Sequence, residues 1–206
     1  MSLQVPSSDA TDAHTNPRRV ATRARICRSA CKLFFDHGYA TVTMEHIAQA
    51  SDIRRSTLYL HFREKDEILA AIAQDYTAKV RQVVARLPGP VPSRVQVAAW
   101  VTEFAVFVTQ ERAATELLVS LSHLPKAPAA AVAFGQALKE MMADQLPVFR
   151  TAMEPAQLLA HARAITVMDS LGWALCHHAR TGGCEMSSAR LAVAAEDLSR
   201  FASGDL

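Results

Sequence analysis

A chain of 206 residues with a formal net charge of +2 is long enough to form one or two compact domains. Its residues are 50% hydrophobic and 20% charged, a balance that excludes a wholly disordered or fibrous chain. Ala, Leu, Arg and Glu are abundant and alternating β-branched runs are missing, which favours an all-α fold.

The positive charge is concentrated near the N terminus. Residues 17–65 contain ten Lys or Arg against four Asp or Glu, whereas residues 66–206 contain 12 against 14. A basic segment joined to a mildly acidic one predicts a polyanionic partner that binds at one end of the chain.

Several features predict a cytoplasmic protein with no membrane partner. The first 20 residues are polar, and the apolar stretches farther along are short or interrupted by charged residues. The four cysteines lack zinc-finger spacing and suit a reducing compartment. Cys27 and Cys31 lie four residues apart on a predicted helix, where core packing is favoured over a metal site.

The N-terminal elements are predicted as a tail followed by four helices. Residues 1–17 are rich in Ser, Asp, Thr and Pro and are expected to be disordered. Helical periodicity, Gly38 and the N-cap residue Thr43 set the next boundaries. The four helices are expected over residues 18–37, 44–50, 54–61 and 64–86. The segment PGPVP, residues 88–92, ends the fourth helix.

Four or five further helices are predicted beyond this proline-rich junction. Their apolar residues recur at helical spacing, and prolines or glycines separate them. They are expected over residues 93–110, 112–124, 129–146, 156–180 and 187–202. No strand pattern is visible, so the predicted fold is all-α throughout.

The most informative pattern lies in residues 43–65, where two short amphipathic segments are separated by a brief break. The second begins with Arg54, Arg55, Thr57 and Tyr59, side chains suited to base edges and phosphates. A short helix followed by a turn and a second helix that carries such residues is typical of helix-turn-helix DNA binding. The N terminus of the first of these two helices, capped by Thr43, can also bind a phosphate.

Residues 25–69, RICRSACKLFFDHGYATVTMEHIAQASDIRRSTLYLHFREKDEIL, resemble the N-terminal domain of the tetracycline-repressor (TetR/AcrR) family of bacterial transcriptional regulators. The most specific matches are Thr57-Leu58-Tyr59, His61-Phe62 and Lys65 before an acidic pair. The resemblance implies that six residues occupy DNA-contact positions: Thr43, Arg55, Thr57, Tyr59, His61 and Lys65. Arg54 joins them because it opens the third helix, and Lys65 is expected to hold a phosphate.

The sequence departs from the family pattern at three positions. Asp52 stands where the family usually has a glycine in the turn, and Asp tolerates left-handed backbone less freely than Gly. Arg54 replaces the usual Ser or Thr cap, and His46 stands where the family often has an acid. The arginines of the first helix, from Arg18 to Arg28, are expected either to steer DNA phosphates or to form a solvated face.

The resemblance also implies an organisation for the whole chain. Residues 18–65 are the expected helix-turn-helix domain, and residues 66–206 the connecting helix with a C-terminal ligand-binding and dimerisation domain. The helix predicted over residues 156–180 is apolar nearly all round, which requires cover on both sides. We therefore expect a homodimer in which this helix and the last one form a four-helix bundle, with close approach at Gly172.

Candidate ligand-binding residues are the large apolar side chains of the C-terminal portion, although an aromatic stripe is also typical of plain core. They are Trp100, Phe104, Phe107, Phe134, Leu138, Met141, Met142 and Trp173. Asp169 is a carboxylate in an apolar helix, expected to meet a cationic ligand, Arg163 or a neighbouring subunit. His123, His177 and His178, with Cys176 or Cys184, fit an exposed surface better than a metal site.

Enzymatic motifs are missing: there is no phosphate-binding glycine loop, nucleophile elbow or HExxH, and no cofactor is expected. The chain is therefore interpreted as a ligand-responsive transcriptional regulator. It is expected to act as a repressor that a small, largely apolar molecule releases from a pseudo-palindromic operator in double-stranded DNA. The alternative is a ligand-sequestering or protein-docking helical protein with a vestigial DNA-reading motif.

Overall fold

The computed structural model describes residues 16–154 and 156–204, and within these ranges it contains ten α-helices and no β-strand. The expected all-α fold is confirmed. The predicted tail falls outside the described residues as far as residue 15, and its last two residues are the N-cap and the first residue of the first helix. Asn16 is the N-cap, because its side chain accepts a hydrogen bond from the Arg18 amide, and Pro17 occupies the first helical position.

The chain divides into two compact units, residues 1–71 and 72–206. In the N-terminal unit, α1 spans Pro17–His37, α2 Met44–Ala50 and α3 Arg55–Tyr59, and α4 begins at Lys65. The core of this unit contains the stripe of α1 and the inward faces of the shorter helices. Its buried members include Ile26, Ala30, Phe34, Ile47, Ala48, Leu58 and Phe62.

The second helix begins with two reciprocal hydrogen bonds. The Thr43 hydroxyl accepts from the His46 amide at 3.3 Å, and His46 Nδ1 accepts from the Thr43 amide at 3.4 Å. These two bonds form a capping box, in which His46 takes the place of the usual Glu or Gln. The predicted N-cap role of Thr43 is confirmed.

The turn that follows α2 has the expected left-handed residue, since Asp52 has a φ of 50°. Arg54 is the N-cap of α3 and its side chain makes no capping hydrogen bond, as its chemistry predicted. The third helix is shorter than expected and ends at Tyr59 rather than at His61. The Leu60 and His61 amides bond three residues back, to Thr57 and Leu58, which tightens the chain into a turn.

The C-terminal unit contains the rest of α4, which ends at Val84, and six further helices where four or five were predicted. These are α5 (Arg94–Gln110), α6 (Arg112–Ser122), α7 (Ala129–Gln145), α8 (Pro147–Ala152), α9 (Leu158–Thr181) and α10 (Glu185–Ser203). The fourth helix stops two residues early because the Arg86 and Leu87 amides bond three residues back before Pro88.

The short helix α8 was missed because Pro147 was interpreted only as a break. Proline at the first helical position needs no amide hydrogen and has a suitable φ, so it begins α8. Phe149 of this helix is fully buried and meets Phe201 of α10 edge to face at 4.8 Å. One turn of helix thus closes the core between the ends of α7 and α9.

The core of the C-terminal unit lies between α9 and the helices that pack on it. Helices α5, α6, α8 and α10 all contact α9. The apolar stripe of α4 lies in this core, with Ile72, Tyr76, Val80, Val83 and Val84 all buried. Among the described helices, none has the length and apolarity to cross a membrane.

Candidate functional site

The third helix presents a polar surface on the side opposite its buried residue. Leu58 is fully buried, whereas Arg54, Arg55 and Ser56 are exposed and Tyr59 is 42% exposed. Thr57 is half-buried beside them. Because α3 is little more than one turn, burying Leu58 fixes which residues point outward. This surface, defined by Arg54, Arg55, Thr57 and Tyr59, is the candidate reading surface.

Two side chains lie near the exposed Arg55 guanidinium. Its Nη1 lies 3.6 Å from an oxygen of Glu45 on α2, and its Cζ lies 5.6 Å from the centre of the Tyr59 ring. The pKa of Arg55 is raised, first by the Tyr59 hydroxyl and then by Glu45. Glu45 was not predicted from the sequence as a partner of Arg55. Its place in the first turn of α2, across the break from Arg55, was the signal for this pairing.

Lys65 is engaged with the protein itself. Its Nζ donates to the carbonyl oxygens of Tyr39 at 2.9 Å, Ala40 at 3.2 Å and Val42 at 3.3 Å. It also lies 4.6 Å from the centre of the Tyr39 ring. An ammonium has three hydrogens, so these carbonyls use its full donor capacity. Lys65 thereby ties the start of α4 to the turn between α1 and α2.

Two arginines of α1 bind the turn after α3. Arg23 Nη1 donates to the His61 carbonyl at 3.0 Å and Arg19 Nη2 to the Leu60 carbonyl at 3.5 Å, while Arg23 also stacks 4.0 Å above the Phe62 ring. Burial lowers the pKa of His61, and the charges of Arg19 and Arg23 lower it further. His61 is half-buried, unlike Arg54, Arg55 and Tyr59 of the reading surface, which are exposed.

The C-terminal unit contains a second candidate site, a cavity enclosed by α4, α5, α6, α7 and α9. Its volume is about 60 Å³. By the same measure, one water molecule needs roughly 10–15 Å³. Most lining side chains are apolar. They include five predicted ligand candidates: Trp100, Phe104, Phe134, Leu138 and Met142.

Tyr76 and Thr115 supply the polar part of this cavity. Their hydroxyl oxygens lie 2.6 Å apart, and both side chains are buried. Burial raises the pKa of Tyr76 well above its usual range, so the phenol is neutral. Neither residue was singled out from the sequence as a ligand contact. Tyr76 falls at helical spacing with the apolar residues of α4, and nothing in the spacing of Thr115 marked it.

Four other predicted ligand candidates lie away from the lining of this cavity. Phe107 stacks on Tyr76 with ring centres 5.8 Å apart, and Met141 is buried. Trp173 is 48% exposed on α9. Asp169 lines a neighbouring cavity of about 350 Å³, which shares Gly172 with the first.

Asp169 pairs with a different partner from those expected. Its Oδ1 lies 3.6 Å from His123 Nε2, whereas Arg163 was the predicted partner within the chain. The carboxylate is 49% exposed, so the predicted cost of burial does not arise. His123 Nδ1 lies 2.7 Å from the Val119 carbonyl and its ring 5.6 Å from that of Trp173. The pair joins α6 to α9 beside the larger cavity.

Two further predictions concern the cysteines of α1 and Gly172, whose surroundings within the chain are as follows. Cys27 and Cys31 are half-buried, not fully packed in the core. A side-chain carbon added at Gly172 would meet no atom within 4 Å, because this glycine lines both cavities rather than a close helix contact in the chain. Over the residues that the structure describes, no cluster of three or more metal-binding side chains occurs.

A mostly buried carboxylate between α6 and α9 was missed altogether. Glu116 is only 12% exposed and accepts from Arg112 Nε at 2.8 Å, while Arg180 Nε lies 3.3 Å from its other oxygen. The spacing of Arg112 and Glu116 was a visible signal for the pair within α6. The arrival of Arg180 from α9 was not visible in the sequence.

Large apolar side chains remain exposed on α9 and α10. Trp173 on α9, with Met186 and Val193 on α10, lines an open groove between the two helices. Met186 is 63% and Val193 59% exposed. At the start of α9, Leu158 is 79% and Leu159 66% exposed. These five residues form the apolar face of α9 and α10.

Comparison with known proteins identifies the N-terminal unit. Residues 26–72 match the sequence profile described as bacterial regulatory proteins of the tetR family. An HTH-type transcriptional repressor of Mycobacterium tuberculosis is 32% identical over 66 residues, which is 32% of this chain and 35% of that protein. The chain thus matches about a third of the length of that curated relative.

Solved structures match the fold over most of the chain. A TetR-like transcriptional regulator from Rhodococcus sp. RHA1 superposes with a TM-score of 0.65 at 22% identity, over 92% of this chain and 97% of that one. Thermus thermophilus FadR, a TetR-family repressor in complex with lauroyl-CoA, has a TM-score of 0.52 at 24% identity, over 89% and 95%. These likenesses establish the fold.

Proposed function

We propose that this chain, whose residues 26–72 match the tetR family of bacterial regulatory proteins, is a DNA-binding transcriptional repressor released by a small molecule. The observation that carries the proposal is the reading surface of α3. Arg54, Arg55 and Tyr59 point outward from a helix that is anchored by one buried residue, Leu58. Such a helix fits the major groove, where arginine reads guanine through two hydrogen bonds.

The DNA-binding step is tested with the full chain and the DNA upstream of its own gene. Affinity should fall steeply as salt rises, since phosphate contacts release counterions. Arg55→Ala should weaken operator binding roughly tenfold to 100-fold and relax specificity at one base pair. Arg81→Ala removes the same charge from the C-terminal unit and serves as the matched control.

Two outcomes would contradict the proposed DNA-binding function. Unchanged operator affinity in Arg55→Ala would show that α3 does not read bases through this residue. A wild-type protein without salt-dependent binding to its promoter DNA would favour the ligand-sequestering or docking alternative instead.

The proposed repressor is a homodimer that joins through the apolar face of α9 and α10. The exposed Trp173, Met186 and Val193 support this arrangement, since large apolar side chains gain from cover by a second copy. A two-fold dimer also explains a palindromic operator with half-sites spaced by about one helical turn. Sedimentation should detect a dimer at micromolar concentration, and Trp173→Glu should produce a monomer. Val95→Glu, at a valine 80% exposed on α5, is the control.

The small molecule is proposed to bind in the cavity around Tyr76. The protein has a conformation that binds the operator and one that does not. A ligand releases the operator only if its affinity for the second conformation is higher than its affinity for the first. Helix α4 contains both Lys65 and Tyr76, so it is the proposed route between the two units. The lauroyl-CoA complex of Thermus thermophilus FadR supports a ligand in this fold without identifying the one bound here.

The release step is tested by a thermal-shift screen followed by operator-binding assays. A ligand that raises the melting temperature should weaken operator binding at the same concentration, because the two effects are linked. If every stabilising ligand left operator affinity unchanged, the regulatory part of the proposal would be wrong.

A further inference from the structure

Three residues that line the cavity carry an N–H or O–H in their side chains: Tyr76, Trp100 and Thr115. The indole Nε1 of Trp100 donates to the Val83 carbonyl at 2.9 Å, so its single hydrogen is used. The hydroxyl of Thr115 donates to the Glu111 carbonyl at 3.1 Å, one helical turn earlier. It too has no further hydrogen to give.

The direction of the contact between Tyr76 and Thr115 is assigned from these bonds. Their oxygens are 2.6 Å apart, and geometry alone allows either to donate. With the Thr115 hydrogen assigned to the Glu111 carbonyl, the Tyr76 hydroxyl is the donor. A chain of hydrogen bonds therefore runs from Tyr76 through Thr115 to the main chain of α6. All three side-chain hydrogens are consumed, while the Tyr76 oxygen keeps lone pairs that can accept.

We infer that the cavity selects a neutral, largely apolar molecule with one hydrogen-bond donor, a hydroxyl or N–H that the Tyr76 oxygen accepts. A ligand carbonyl or carboxylate buried there would meet no side-chain donor among the lining residues and would lose its bonds to water. A carboxylate would also lose the solvation of its charge. The regulatory consequence of this selectivity rests on the proposed function, whereas the selectivity itself is a property of the cavity.

The size of the cavity sets the probes. Its volume corresponds to roughly four to six water molecules, enough for one six-membered ring. Phenol supplies a donor, toluene has nearly the same shape with neither donor nor acceptor, and benzaldehyde supplies an acceptor alone. Calorimetric titration of the full-length protein should give phenol the tightest binding, with toluene about tenfold weaker and benzaldehyde weakest.

Two substitutions change the selectivity in different directions. Tyr76→Phe removes the accepting oxygen, so phenol and toluene should bind alike. Thr115→Val removes the group that holds the Tyr76 hydrogen and releases this hydrogen into the cavity, so benzaldehyde should gain at least tenfold relative to the wild type. Thr77→Val is the matched control, because the Thr77 hydroxyl also bonds to a carbonyl one turn back, at Ala73, but lies outside the cavity lining.

The results separate this inference from the proposed repressor function. Equal binding of phenol and toluene to the wild type, tighter binding of benzaldehyde, or no binding of any ring would overturn the inference. If Tyr76→Phe failed to fold, the gain of benzaldehyde in Thr115→Val would still decide it. Phenol that binds with the expected preference but leaves operator affinity unchanged would overturn the regulatory proposal while the selectivity stands.

Discussion

In the N-terminal unit, Lys65, Arg19 and Arg23 donate to main-chain carbonyls, whereas the cations fixed in the C-terminal unit meet carboxylates. Lys79 lies 2.9 Å from Glu111, Arg86 pairs with Glu103, and Glu116 holds two arginines. A carbonyl fixes a cation without cancelling its charge, while a carboxylate neutralises it. The N-terminal unit can therefore be well ordered and still strongly basic, as the proposed DNA-binding surface requires.

Among the described residues of the N-terminal unit, the exception is Arg55, which pairs with Glu45. Both side chains are 64% exposed and 3.6 Å apart, so solvent screens the pair and the guanidinium can exchange its partner for a base edge. Lys65, Arg19 and Arg23 thus stabilise the fold, whereas Arg55 remains available to bind a partner. This difference also indicates where substitutions should affect stability and where they should affect binding.

The largest effect on stability is expected at Glu116. Glu116→Ala should lower the free energy of unfolding by roughly 1–3 kcal/mol, because a mostly buried carboxylate that joins two helices is lost. Glu103→Ala removes a carboxylate that pairs with one arginine at the surface and should cost less than about 1 kcal/mol. Urea denaturation measures both. Equal losses would mean that burial does not distinguish the two carboxylates.

A smaller loss is expected at Lys65. Lys65→Met should lower the free energy of unfolding by about 1 kcal/mol, because three carbonyls lose their donor. The slope of log affinity against log salt should change by much less than the ~0.9 that one phosphate contact contributes.

Arg54→Met is the matched control for Lys65→Met, since it removes the same charge from an exposed N-cap position. It should leave the free energy of unfolding unchanged and alter DNA binding. A stable Lys65→Met protein with a flattened salt slope would instead support the phosphate contact that the sequence predicted.

A stabilising change is expected at Gly172. Gly172→Ala should raise the free energy of unfolding by roughly 0.5–1 kcal/mol, because alanine favours the helix and its methyl group meets open space. Gly183→Ala should destabilise, since this residue has a φ of 81° and its added carbon would lie 3.3 Å from the His178 ring. Thermal unfolding distinguishes them. If Gly172→Ala failed to dimerise, this result would support the close helix approach at Gly172 that the sequence predicted.

The smallest effect is a pH dependence at His61. Its pKa in the folded protein lies below the ordinary value of 6.5, so the unfolded chain binds the proton more readily. The contribution of His61 to stability is therefore present above about pH 6.5 and is lost as the pH falls toward its folded pKa. His61→Gln should flatten the dependence of the unfolding midpoint on pH below 6.5. A variant with an unchanged profile would assign the dependence to other groups.

The reading surface could be predicted from the sequence because all its parts lie within residues 43–65. Thr43 as N-cap, the left-handed Asp52 and the uncapped Arg54 all follow from local rules, which act over one or two turns. The helical type of the elements and their order along the chain could be predicted for the same reason, because local rules determine them. Proline was the main source of error, since Pro147 begins a helix where a break alone was predicted.

The sequence by itself determined the all-α fold, the helix-turn-helix and the residues that open α3, because periodicity, capping and turn chemistry are local. Tertiary structure decided which cations are tied to carbonyls and which pair with carboxylates. It also decided the cavity, whose lining residues extend from Tyr76 to Leu175 and come from five helices. Periodicity shows which residues share a helix face, but not which faces meet. That choice depends on packing across the whole core, so neither the pairing of Tyr76 with Thr115 nor that of Arg180 with Glu116 could be predicted from spacing.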